Sequence, residues 1–173
     1  MAWFKEASKY KLIYNGKKLL LDDGQIASII KDILKNSVPV RNMFNKFKIS
    51  IDKLDDLIIE IISLDKKYAL TDAKKMKINK ALLEHEDFFE KYRFVFFHEI
   101  VHFLTRIKEK RAFFNDDEEV EALVMSLANE LERGTSYQDI WKKLFHTVDW
   151  HFSSEEDAEA FFARSINKAK KLL

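Results

Sequence analysis

Phe96-Phe97-His98-Glu99-Ile100-Val101-His102-Phe103-Leu104 is the stretch on which the fold turns. Six of its nine residues are neither charged nor imidazole, so the segment predicts a helix buried in a core rather than lying on a surface. Residues four apart on a helix share a face, with Cβ atoms about 5–6 Å apart, so His98 and His102 can meet one ion. Zinc takes neutral imidazole nitrogen at about 2.0–2.1 Å, and a catalytic zinc keeps one coordination position open. Glu99 follows the first histidine directly. Its carboxylate can face a water on the metal, accept a proton from it and later pass one to a leaving amine.

Two histidines need a third protein ligand. Gly at 105 and His at 108 would mark the metzincin arrangement, but the chain has Thr105 and Lys108. Downstream lies Asn115-Asp116-Asp117-Glu118-Glu119-Val120-Glu121-Ala122, opening a second helix predicted over about 117–133. Val120, Leu123, Val124, Leu127 and Leu131 form its apolar stripe. Glu121 borders that stripe and is the acid expected to complete a His98, His102, Glu121 zinc site, with Glu118 the next candidate. Asp116, Asp117, Glu118 and Glu119 otherwise suit the first turn of a helix, where acids favour the dipole and solubility.

Upstream, Asn15-Gly16 between Leu12-Ile13-Tyr14 and Leu19-Leu20-Leu21 predicts a hairpin. Ile26, Ile29, Ile30, Ile33 and Leu34 then repeat with helical spacing from Asp22 to Lys35, and Val38-Pro39 is expected to end that helix. Phe47–Ile51 alternates like a strand, while Asp56–Leu64 reads as strand or buried helix. Tyr68–Asp72 and Met76–Leu83 read as further strands of a small antiparallel sheet. A helix over about Asp87–Lys108 carries the two histidines, and shorter helices follow near 136–146 and 154–171. Ser154 with Asp157 three residues on marks the start of the last one. The expected fold class is α+β. A small antiparallel sheet packs on an active-site helix and a following ligand-bearing helix, with extra helices at both ends. One domain over 1–173 is expected, its core about 47–133, with additions at 11–36 and 136–171.

Composition narrows the chemistry. Among 173 residues there is no Cys, which excludes disulfides, thiolate metal sites and a thiol nucleophile. Thirty Lys+Arg against 29 Asp+Glu give a formal charge of +1, with no bulk attraction to nucleic acid or anionic lipid. Three Gly form neither a P-loop nor a GxGxxG turn. No apolar run approaches the ~20 residues that span a bilayer, and Met1–Glu6 does not begin a signal peptide. A cytoplasmic protein is expected, with no nucleic-acid or membrane partner.

Tyr92-Arg93-Phe94-Val95-Phe96-Phe97-His98-Glu99-Ile100-Val101-His102 resembles the active-site helix of gluzincin-type zinc peptidases, most nearly the small ImmA/IrrE-type branch. That branch places an Ile-x-Asn-like element on the strand before the helix, and Lys77-Ile78-Asn79 fits it. Related gluzincins take their third ligand from a Glu-Ala pair, which Glu121-Ala122 matches with 18 residues between His102 and Glu121. The resemblance covers about residues 68–131. It departs at Val101, where a small Gly is usual, and at Met125, where thermolysin-like enzymes carry an acid.

The resemblance implies a metallopeptidase that hydrolyses peptide bonds with Zn2+ as cofactor, Glu99 as general base and acid, and a peptide or protein as substrate. Met76–Leu83 would bind that substrate by strand addition. His146, His151, Tyr68, Tyr137 and His85 are candidates to stabilise an oxyanion. An alternative reading is a weak or inactive metal-binding module that regulates a protein partner. A third, DNA-binding reading has only Asp22–Lys48 as room for a helix-turn-helix, and Pro39 with no clear Gly turn weighs against it.

Overall fold

Asn15 and Gly16 both take positive φ, 50° and 73°. A two-residue hairpin loop of the primed type requires this, and these residue types adopt it at least cost. Strands β1 (Lys9–Tyr14) and β2 (Lys17–Asp22) pair antiparallel on either side, with Tyr14 opposite Lys17. The computed structural model describes residues 8–109, 116–145 and 152–173. The hairpin runs straight into helix α1 (Asp23–Lys35), whose entry is a capping box. The Asp22 carboxylate accepts from the Gln25 amide at 2.8 Å, and the Gln25 side chain accepts from the Asp22 amide at 3.0 Å. Ile26, Ile30, Ile33 and Leu34 are buried, as their spacing predicts.

Pro39 does not simply end this helix. α1 stops at Lys35, and after Asn36 and Ser37 a second helix, α2 (Val38–Lys46), begins with Pro39 in its first turn. Proline suits that place because its missing N–H would have had no helical partner there. The strand expected over Phe47–Ile51 is absent. Phe47 caps α2, Lys48 takes a positive φ of 55°, and Ser50 caps a short 3-10 helix over Ile51–Asp56. Phe47, Ile49 and Ile51 alternate because each leans on the core from an irregular segment, not because they pair in a ladder.

Strands β3 (Ile58–Ile62), β4 (Ala69–Thr71) and β5 (Lys75–Asn79) form a three-stranded sheet in the order β3-β5-β4. β4 and β5 are an antiparallel hairpin, tightened by Asp72, whose carboxylate accepts from the amides of Lys74 and Lys75 at 2.7 and 2.8 Å. β3 lies on the other side of β5 and runs parallel to it. The sheet is therefore mixed, not antiparallel throughout, within an architecture that is α+β. β5 ends at Asn79, where the chain turns into a 3-10 helix over Lys80–Glu84. The Asn79 amide donates to the carbonyls of Leu64 and Lys67 at 3.0 and 2.8 Å, and so holds the connection from β3 to β4.

The long helix expected over Asp87–Lys108 is broken at Tyr92 (φ −108°, ψ 16°) into α3 (Phe88–Lys91) and α4 (Arg93–Glu109). α4 is buried along most of its length, on several faces. α5 (Asp116–Glu132) runs antiparallel to it: Arg93 meets Asn129 and Phe94 meets Ser126 near one end, while His102 meets Glu118 near the other. α5 serves two cores. Ala122 and Met125 join the main core around α4 and the sheet. Leu123, Val124, Leu127 and Ala128 pack with Ile140 of α6 (Tyr137–Phe145) and with Ile166 and Ala169 of α7 (Glu155–Lys170). No helix among the described residues is long and apolar enough to cross a membrane.

Candidate metal centre

His98, His102 and Arg106 stand one turn apart along α4, and α5 brings Glu118 and Glu119 of its first turn against them. The His98 and His102 rings lie 4.9 Å apart, with their Nε2 atoms 3.1 Å from each other. Glu119 closes the triangle: its Oε2 is 3.2 Å from His98 Nε2 and its Oε1 is 3.4 Å from His102 Nε2. Two ligands held about 2.0–2.1 Å from one ion at the tetrahedral angle stand about 3.3 Å apart. The two imidazole nitrogens are thus spaced like two ligands of one tetrahedral ion, and the Glu119 carboxylate reaches each of them with a different oxygen. Two imidazoles and a carboxylate are also a donor set that zinc accepts. Among the described residues, His98, His102 and Glu119 are the group able to hold a metal ion.

The site is buried on one side and open on the other. The His102 side chain is 4% exposed, whereas those of His98 and Glu119 are 31% and 39% exposed. On the buried side, Glu118 takes His102 Nδ1 at 2.7 Å on one oxygen and Arg106 Nη1 at 3.1 Å on the other. A carboxylate only accepts, so this contact places the proton on His102 Nδ1 and leaves the Nε2 lone pair facing the triangle. The hydrogen bond from His98 lowers the Glu119 carboxyl below its ordinary range. Partial burial acts against this, and the charges of His98, His102 and Arg106 reinforce it. Glu99 is buried, and its Oε2 has no hydrogen-bond partner among the described residues. A buried carboxylate oxygen left unsatisfied is costly.

The third acid differs from the expected one. Glu121 is exposed and does not join the group; Glu119 stands in its place. The reason is the choice of face. Val120, Leu123, Val124, Leu127 and Leu131 do form a buried stripe, but it packs toward α6 and α7. The face toward α4 carries Ala122, Met125 and Ser126, roughly 180° round the helix from Val120. Glu118 and Glu119, four and three residues before Ala122, share that face. The signal was present in the sequence as small and polar residues at 122, 126 and 129 within an apolar helix, which mark the side toward a close neighbour. Arg106 follows His102 at the same spacing as His102 follows His98, which puts a cation on the same face.

Tyr68 packs edge-on against Phe94, which precedes His98 by one turn on α4. Both line an open cavity of about 880 Å³, walled also by Glu130, Arg133 and Lys143. Tyr137 lies under the Lys170 ammonium, and His85 lies against Tyr92. His146 and His151 fall outside the described residues. β5 is paired on both edges, so the segment expected to add a substrate strand has no edge free for it. β4, packed on α4, presents an outer edge instead. Comparison with known protein families, with curated proteins and with solved structures gives no match.

Proposed function

We propose that the chain is a zinc-dependent peptidase of the gluzincin type, with His98, His102 and Glu119 holding the metal and Glu99 as general base and acid. The observation that carries this reading is the approach of two imidazole nitrogens, 3.1 Å apart, and of a carboxylate 3.2 to 3.4 Å from them, with His98 and Glu119 partly exposed. Zinc bound there would polarise a peptide carbonyl and make a water nucleophilic near neutral pH. Glu99, the next residue after His98, keeps one buried oxygen unengaged by the described residues, as a base awaiting a proton needs. It would take the proton of the attacking water and hand it to the departing amine. The outer edge of β4 would align the peptide by main-chain hydrogen bonds, with Tyr68 and Phe94 along its path.

The alternative, a metal-binding module that acts by holding a partner, needs ligands but no base. The buried oxygen of Glu99, without a hydrogen-bond partner among the described residues, favours the enzyme over that module. Metal analysis of the purified protein, followed by incubation with a mixed peptide library, separates the two. The peptidase reading expects bound zinc and new peptide termini from wild type, with turnover in Glu99→Gln lower by at least ~10²-fold. Zinc-loaded wild type that cleaves no peptide would favour the module instead.

A further inference from the structure

We propose that Arg106 is a positioning residue of the metal centre, acting through Glu118 to fix the tautomer and orientation of His102. The inference rests on the metal-site reading above and adds to it a three-residue relay that leads away from the ligands. Arg106, Glu118 and His102 have side chains 5%, 1% and 4% exposed, so the arrangement is built inside the protein and not on its surface. A buried carboxylate needs a charged or well-hydrogen-bonded partner to remain one. Arg106 supplies it from the same helix as His102, one turn further on. Because the two contacts fall on different oxygens, the carboxylate plane is pinned at both ends: Oε1 to the imidazole at 2.7 Å, Oε2 to the guanidinium at 3.1 Å. A carboxylate free to turn could meet His102 in more than one way. Held like this, it accepts the Nδ1 proton and leaves Nε2 as the bare nitrogen, 3.1 Å from His98 Nε2 and 3.4 Å from Glu119 Oε1.

A simpler role would be that of a staple, in which Arg106 and Glu118 only tie α4 to α5. The two roles differ in what they do to one imidazole. Nitrogen NMR of the metal-free protein reads the His102 tautomer directly, and chelator competition reads zinc affinity; both are made on wild type, Arg106→Met and Arg106→Lys. The relay expects the Nδ1–H form in wild type. In Arg106→Met it expects a shift toward the Nε2–H form, together with a loss of zinc affinity of roughly 10–100-fold. Arg106→Lys, which restores the charge, should recover most of both. If Arg106→Met does not fold, the wild-type and Arg106→Lys spectra decide. His102 protonated on Nε2 in wild type would overturn the inference. So would a folded Arg106→Met protein with tautomer and affinity unchanged, or one whose affinity falls while the tautomer stays. Wild type that fails to bind zinc, yet shows the Nδ1–H form and its dependence on Arg106, would count against the metal reading and leave the relay standing.

Discussion

His98 and His102 are predicted to be jointly indispensable, because neither can hold the ion with Glu119 alone. His98→Ala or His102→Ala should each abolish tight zinc binding, since two neutral or weak ligands rarely compete with buffer. Stoichiometric zinc in either variant, measured by elemental analysis, would contradict that. Glu99 is predicted to behave differently: Glu99→Gln should keep its zinc, because its carboxylate lies outside the donor triangle. Loss of metal on that substitution would move Glu99 into the ligand set. The pairing of His98 with His102 was legible because residues four apart on a helix share a face. The acid was not, because the choice among Glu118, Glu119 and Glu121 depends on which face of α5 meets α4. An apolar stripe names a buried face, but α5 has two of them.

At the level of elements, local chemistry made some features readable. The Asn15-Gly16 turn and the Ser154 cap, whose side chain accepts from the Asp157 amide at 3.1 Å, both rest on contacts within a few residues. The parallel pairing of β3 with β5 was not readable, because it depends on which side of β5 the β4 hairpin folds. Phe47–Ile51 misled because alternation also arises where a loop lies against a core. Two predictions belong here. Ala122, fully buried where α5 meets α4, leaves no space for added methylenes, so Ala122→Leu should destabilise the fold by about 1–3 kcal/mol. An unchanged midpoint in denaturant titration would mean that the helices are not in close contact there. For the β4–β5 turn, burial acts to raise the Asp72 carboxyl, but the amides of Lys74 and Lys75, with the Lys77 and Lys75 charges, bring it below its ordinary value. A depressed carboxyl contributes stability above its unfolded value and loses it as pH falls through the folded one. Protection of the β4–β5 hairpin amides, taken relative to their intrinsic exchange rates, should therefore fall in acid, below the ordinary carboxylate range, and Asp72→Asn should remove that dependence. A wild-type hairpin whose protection is indifferent to acid would refute the assignment.

Across the whole molecule, the group able to hold a metal ion draws His98 and His102 from α4 and Glu119 from α5, so an ion bridging them should couple metal binding to folding. Zinc present at a hundred times its dissociation constant should stabilise by about 2.7 kcal/mol, and so raise the melting temperature by roughly 5–10 °C. A chelator should reverse that rise, and melting indifferent to zinc would deny the coupling. The ligand proposed to complete the set is Glu119 and not its exposed neighbour two residues on. The direct measurement is zinc bound per chain at equilibrium with a competing chelator, for wild type, Glu119→Gln and Glu121→Gln side by side. The account expects about one zinc per chain in wild type and in Glu121→Gln, and none retained by Glu119→Gln. Zinc held by Glu119→Gln and lost by Glu121→Gln would contradict it.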